Sequence, residues 1–124
     1  MTLLLVIVAG GLGSGARYLI GQWAVNAIGP QFPIGTVIVN LTGCFALGAV
    51  AQLAGSGMLT PEARAAVGAG FLGGFTTYSS FNQETIAMFS SGATGAAVLN
   101  VAVTLAGGLA AGLAGAAAVR MFQS

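Results

Sequence analysis

The fold of this chain is decided by the stretch Gly70-Phe-Leu-Gly-Gly-Phe-Thr-Thr-Tyr-Ser-Ser-Phe-Asn-Gln-Glu84, which is polar within an otherwise apolar sequence. Adjacent glycines lower helix stability, and Thr and Ser side chains compete for backbone hydrogen bonds, so we expect a helix break near Gly73 to Thr77. Broken backbone at membrane depth is tolerated only where it is buried in protein or lines a wet cavity. Its freed carbonyls can hold a cation, and its freed amides an anion.

The rest of the chain is too apolar for a soluble domain. Of its 124 residues, 56% are hydrophobic and 4% are charged, whereas about a quarter of the residues in a soluble domain are charged. A helix of about 20 apolar residues crosses the hydrocarbon core of a bilayer. We therefore predict an all-α multi-pass protein of the cell (inner) membrane, in contact with lipid. Its single domain, residues 1–124, has four transmembrane helices at about 3–26, 34–53, 61–90 and 94–121, and the third is broken near its middle.

Local signals define some features of these helices. Thr60-Pro61-Glu62 combines an N-cap hydroxyl, a first-turn proline and a carboxylate that complements the helix dipole, so it predicts the start of the third span. Small residues at four-residue spacing, Gly11 with Gly15 and Gly108 with Gly112, resemble the packing motif of membrane helix pairs.

Several function classes are disfavoured by composition. Cys44 is the only cysteine and histidine is absent, so an internal disulfide is excluded and the usual transition-metal ligand sets are missing. The net charge of +1 leaves no basic patch for nucleic acid. The sequence contains no carboxylate pair and no nucleophile with a matching base, so we do not expect an enzyme.

The distribution of positive charge gives only a weak orientation signal. Arg64 and Arg120 fall on the side shared by both termini, whereas Arg17 lies inside the first span towards the other side. Such a bias permits insertion both ways up, and two inverted copies could pair as an antiparallel dual-topology homodimer. One fixed orientation with cytoplasmic termini remains open on charge alone.

The pattern Gly-Gly-x-Thr-Thr-aromatic-Ser-x-Phe at residues 73–81 resembles the signature of the Fluc-type fluoride ion channels, the CrcB family. Segments 10–18 and 32–45 agree with the same family in the same order. The resemblance covers essentially the whole chain, with the third span highly specific and the fourth span much less so.

This resemblance implies a homodimer with two antiparallel pores, each built from both subunits, that exports fluoride passively and so lowers its toxicity. It also implies a structural Na⁺ at the dimer centre, with the backbone carbonyls of Gly73 and Thr76 as ligands from each subunit. Neutral carbonyl oxygens suit a buried monovalent cation, which also lowers the cost of a nearby anion.

Two aromatic residues occupy the positions that the resemblance assigns to the pore. Tyr78 and Phe81 stand where most relatives have phenylalanine, whose positive ring edge can coordinate a small anion without holding it too tightly. Tyr78 departs from that pattern. Its hydroxyl could donate to fluoride directly or tie the ring to a neighbour.

Polar residues complete the implied path. Asn40 aligns with the asparagine at the pore mouth, whose amide can donate to fluoride as it loses water. Hydroxyl groups that replace water along the pore are assigned to Ser79, Ser80 and Thr104. Asn100, one helical turn before Thr104, stands where some relatives have tyrosine, so its role stays open.

Two charged residues have alternative interpretations. Glu84 lies one turn beyond Phe81 on the same face, and the resemblance places it by the pore, where we favour a role in passing or gating fluoride. Arg17 either attracts anions into a vestibule or extends its side chain towards lipid headgroups.

Two other functions are compatible with parts of the sequence. A small dual-topology multidrug/proton exporter has similar length and four spans, but it needs a carboxylate in the first span, where this chain has only Arg17. A non-transporting assembly subunit is favoured if the third span serves only for packing.

Overall fold

All 124 residues are described by a computed structural model, and every regular element in it is helical. Helix α3 consists of three consecutive pieces, Pro61–Arg64, Ala65–Leu72 and Gly73–Phe75. The other four helices are α1 (Thr2–Ala27), α2 (Ile34–Gly55), α4 (Tyr78–Ser90) and α5 (Thr94–Gln123). The predicted all-α class is confirmed, and the third predicted helix is divided into α3 and α4.

Three of these helices are long and apolar enough to cross a membrane. Helices α1, α2 and α5 contain 26, 22 and 30 residues, with mean hydropathies of 1.8, 1.9 and 1.8. Only 16 of the 124 residues are buried, so most large apolar side chains face outward, as expected where lipid is the solvent. By contrast, α4 has 13 residues, and at about 1.5 Å per residue it is too short to cross about 30 Å alone.

The start of α3 follows its sequence signals. Thr60 is the N-cap, and its hydroxyl accepts a hydrogen bond of 3.1 Å from the Ala63 N–H. Pro61 occupies the first turn, where its missing N–H is not needed, and Glu62 follows it. The predicted boundary is confirmed.

The middle piece of α3, Ala65–Leu72, is a π-helix, which was not predicted from the sequence. The Gly73 N–H, for example, donates to the Gly68 carbonyl five residues earlier. This piece lies against α1 with almost no space between the backbones: a Cβ on Gly70 would be 3.0 Å from Ala9 Cβ and 3.1 Å from the Val6 carbonyl oxygen. The wider π turn is thus placed where glycine permits close helix contact.

Helices α2 and α5 pack along each other through small residues. Gly48 faces the Gly112 carbonyl and Gly115 faces the Phe45 carbonyl, with no room for a Cβ at either glycine. The predicted packing role of Gly108 and Gly112 is confirmed, because both lie against Cys44. The other pair makes no such contact within the chain: a Cβ added at Gly11 or Gly15 would meet no atom within 4 Å, and both glycines face outward.

Candidate functional site at the break between α3 and α4

The helix breaks at Thr76 and Thr77, which confirms the predicted interruption. Both residues are extended, with φ −77° and ψ 155° at Thr76 and φ −149° and ψ 119° at Thr77. The Thr76 N–H and hydroxyl still bond to the Leu72 carbonyl, at 3.0 and 2.9 Å, so the preceding helix ends cleanly at this residue. The next helix then begins with Thr77 as its N-cap.

Asn40 of α2 holds the break through both ends of its amide. Its Oδ1 accepts a hydrogen bond of 2.8 Å from the Thr77 N–H, and its Nδ2 donates one of 3.0 Å to the Thr77 carbonyl. Each residue is only 8% exposed. Asn40 therefore satisfies both polar groups of a buried non-helical residue, and the second N–H of its amide is left for another acceptor.

Two carbonyls next to the break lose the donors that a continuous helix would supply. The Thr77 N–H, four residues after Gly73, is taken by Asn40. The Ser80 N–H, four residues after Thr76, donates to the Thr77 hydroxyl at 3.2 Å. These are the two carbonyls that the resemblance assigns to Na⁺, and neutral oxygens without helical partners have the donor chemistry that such an ion requires.

A cavity of about 940 Å³ lies on one side of the break. Polar side chains from α1, α2 and α4 meet in its wall, together with the Thr77 residue of the break. They include Ser14, Arg17, Thr36, Thr77, Ser80 and Glu84. The structure thus brings the predicted residues Arg17, Ser80 and Glu84 to one space.

Glu84 is held in this cavity by a residue that was not singled out from the sequence. The Thr36 hydroxyl donates a hydrogen bond of 2.7 Å to Glu84 Oε1, whereas the buried Oε2 has no partner within the chain. Thr36 lies one helical turn before Asn40, so a polar pair at four-residue spacing in an apolar span was the available signal.

A smaller cavity of about 350 Å³ lies on the other side of the break. Four of the predicted pore residues line it, Asn40, Tyr78, Phe81 and Thr104, together with Thr76 and Thr77 of the break. The Tyr78 and Phe81 rings contact edge to face, with centroids 5.7 Å apart and planes at 65°. Phe81 is 7% exposed and Tyr78 is 75% exposed, so only the first ring is enclosed by its own chain.

Thr77 is the residue common to both cavities, although from the sequence it was predicted only as the end of the helix break. Its hydroxyl lies 3.3 Å from the Ser79 hydroxyl and 3.2 Å from the Ser80 hydroxyl. Ser79 and Gly73 are exposed and line neither cavity. The other predicted residues are therefore divided between the two cavities, with Thr77 between them.

The fold and the site together define a multi-pass helical membrane protein whose third helix is interrupted by a polar segment with a cavity on either side. Residues 4–116 match the family described as CrcB-like protein, Camphor Resistance (CrcB). The chain belongs to this family, and the family predicted from the sequence is confirmed.

Curated relatives match over nearly their full length. The chain is 48% identical over 119 residues to the fluoride-specific ion channel FluC of Anaeromyxobacter dehalogenans, covering 95% of this chain and 94% of that protein. Identity is 47% over 119 residues to the protein of the same name from Anaeromyxobacter sp., with the same coverage. It is 42% over 118 residues to that of Rhizobium etli, covering 94% of each chain. These relatives are named as ion channels and not as enzymes.

Proposed function

We propose that this chain is a passive, fluoride-selective ion channel that lets fluoride leave the cytoplasm. The observation that carries the proposal is the interrupted helix, which puts hydroxyl, amide and backbone groups of Thr77 and its neighbours between two cavities inside an apolar bundle. The full-length similarity to proteins named fluoride-specific ion channels supports the choice of ion.

The groups along this path have the chemistry to replace water around a small anion. Hydroxyl groups of Ser80 and Thr104 can rotate to donate, and Asn40, which lines the smaller cavity, has a second N–H to donate. The Phe81 ring offers its positive edge. Such contacts are numerous but individually weak, which suits an ion that must enter and leave.

Two charged residues of the larger cavity suit its proposed role as a vestibule. Arg17 supplies positive charge that raises the local concentration of anions. Glu84, fixed by Thr36, would oppose an anion while ionised, so we propose that it regulates passage and takes part in transfer when it holds a proton.

The site is incomplete in a single chain, which supports assembly as an antiparallel homodimer with two pores. The Tyr78 ring is 75% exposed, and Gly73 and Ser79 also face outward at the level of the break. Polar groups at this depth need cover from lipid. A second, inverted copy would bring the same residues to the same level and complete each path.

Sodium is proposed to sit where the two copies meet. The Gly73 and Thr76 carbonyls of each chain would supply four neutral oxygens in the dimer, and their helical donors are already diverted to Asn40 and Thr77. When bound, the ion would neutralise these carbonyl dipoles and lower the cost of an anion nearby.

Export needs no coupled energy source. An inside-negative potential favours outward movement of a univalent anion by about 2.3 kcal/mol per 100 mV. A passive pore is therefore sufficient to lower cytoplasmic fluoride, and resistance to fluoride is the proposed physiological role.

The first test is anion release from liposomes that contain the purified protein. Vesicles loaded with potassium fluoride are expected to release fluoride at once when valinomycin balances the charge, whereas vesicles loaded with potassium chloride retain chloride. Retained fluoride would refute the proposal. Proton-coupled exchange of a cationic drug would instead indicate the exporter, and neither activity would indicate an assembly subunit. Protein-free liposomes serve as the control.

The sodium proposal predicts a cation-dependent stability. At a sodium concentration about a hundredfold above its dissociation constant, binding adds about 2.7 kcal/mol, enough to raise the melting temperature by about 5 °C or more. The measurement compares the purified protein in sodium chloride and in N-methylglucamine chloride at equal ionic strength. Equal melting temperatures in the two salts would contradict the site.

A further inference from the structure

A hydrogen-bond network of three bonds, two of them buried and one partly buried, joins α4 to α5 beside the smaller cavity. The Thr104 hydroxyl donates to Asn100 Oδ1 at 3.5 Å, and Asn100 Nδ2 donates to the Thr85 hydroxyl at 2.9 Å. The Thr85 hydroxyl in turn donates to the Phe81 carbonyl at 2.7 Å. This hydrogen-bond network thus connects two residues that line the cavity, Thr104 and Phe81, through two that do not, Asn100 and Thr85.

Asn100 is the centre of this hydrogen-bond network and is 0% exposed. Burial of an amide costs free energy unless its polar atoms are bonded, and a leucine would fill a similar volume between two membrane helices without that cost. Each end of the amide meets a different threonine, one on its own helix and one on the neighbouring helix. Its placement is therefore specific to those two hydroxyl groups.

We propose that Asn100 is a positioning residue of the anion path, which sets the hydroxyl of Thr104 and the turn of α4 that carries Phe81. The proposal rests on the proposed channel function and assigns a role that pore-lining geometry alone does not give, since Asn100 itself lines neither cavity.

At the Thr104 end of the hydrogen-bond network, the geometry suits a hydroxyl that must redirect its hydrogen bond to a passing anion. A hydroxyl has a single hydrogen, and a donor–acceptor distance of 3.5 Å is at the limit of a hydrogen bond. Asn100 Oδ1 therefore gives the hydrogen a defined but weak resting acceptor. An anion in the cavity competes well, because hydrogen bonds to charged acceptors are about twice as strong as neutral ones.

The hydrogen bonds at the Phe81 end of the network are shorter. Donation from Asn100 at 2.9 Å directs the Thr85 hydrogen onto the Phe81 carbonyl at 2.7 Å. A threonine hydroxyl that bonds to a carbonyl four residues earlier bends a helix slightly. Fixing the direction of the Thr85 hydroxyl therefore also fixes the local path of α4. Asn100 thereby ties the depth of the Phe81 ring to the depth of the Thr104 hydroxyl.

A double-mutant cycle separates this role from simple helix packing. Asn100→Leu and Thr104→Val are each expected to slow fluoride efflux about fivefold, the loss that corresponds to about 1 kcal/mol of hydrogen bonding in a membrane protein. If Asn100 acts through Thr104 as well as through the turn that carries Phe81, part of the two losses is shared, and the double variant is slowed clearly less than about 25-fold. If Asn100 only joins helices, the two losses multiply to about 25-fold, and the proposal is overturned.

The controls keep each outcome distinct. Thr42→Val is expected to retain the wild-type rate, because the Thr42 hydroxyl is exposed and bonds to Ile38 of its own helix at 2.6 Å. Should Asn100→Leu fail to fold, Asn100→Ala replaces it in the cycle, since alanine also removes the amide contacts to Thr85 and Thr104 and has the highest helix propensity.

The wild-type rate distinguishes failure of this inference from failure of the channel proposal. Wild-type vesicles that retain fluoride overturn both. Wild-type vesicles that release fluoride, combined with losses that multiply in the cycle or with an Asn100→Leu variant of unchanged rate, overturn the role of Asn100 alone.

Discussion

Asn40→Leu is expected to abolish fluoride efflux and to destabilise the fold by about 2–6 kcal/mol. Leucine has a similar volume but leaves the Thr77 N–H and carbonyl without their partners at 2.8 and 3.0 Å. Each buried polar group that loses its bond costs about 1–3 kcal/mol. The break would have to move, unwind or admit water. Efflux would be lost because both cavities meet at Thr77.

The loss is measured as the initial rate of fluoride efflux and as the melting temperature of the purified protein. Asn26→Leu makes the same change at an exposed position near the end of α1 and should leave the rate unchanged. Wild-type efflux from the Asn40→Leu variant would show that the path does not depend on the break.

Asn40 also illustrates how one side chain serves both fold and path. Its amide was assigned from the sequence to fluoride at a pore mouth. The structure uses Oδ1 and one N–H of that amide to hold Thr77, which leaves a single N–H for an anion. The proposed contact with fluoride is therefore preorganised, because the amide cannot rotate without breaking two buried hydrogen bonds.

Features that depend on neighbours in sequence were predicted well. The Thr60 cap, the first-turn proline and the break after two glycines all arise from backbone preferences within a few residues. The presence of these signals in a strongly apolar chain was sufficient to predict the helical class and the position of the interruption.

Features that depend on contacts between helices were not predicted. Thr36 meets Glu84 across 48 residues of sequence, and Asn40 meets Thr77 across 37. The π-helix likewise depends on close contact with α1, since nothing in Ala65–Leu72 alone distinguishes it from an ordinary apolar helix. A single sequence shows which polar residues need partners, whereas the packing of the helices decides which partners they receive.

Gly13→Ala is expected to destabilise the fold by about 1–3 kcal/mol and to slow fluoride efflux at least about tenfold. A Cβ at Gly13 would overlap the Phe71 carbonyl oxygen and lie 3.0 Å from the Phe75 backbone nitrogen. Both neighbours are backbone atoms, so no side-chain rotation relieves the clash. Helix α3 would have to move away from α1 at the turn that leads directly into Thr76 and Thr77.

Efflux is expected to slow because the displaced turn carries the break away from Asn40, which holds it by only two hydrogen bonds. Gly95→Ala is the matched control: it adds the same methyl group in open space in the first turn of α5 and should gain up to about 1 kcal/mol from helix propensity. Efflux rate and melting temperature are measured for both variants. A Gly13→Ala variant that matches Gly95→Ala in both would show that α1 does not set the position of the break, since only close backbone contact distinguishes the two glycines.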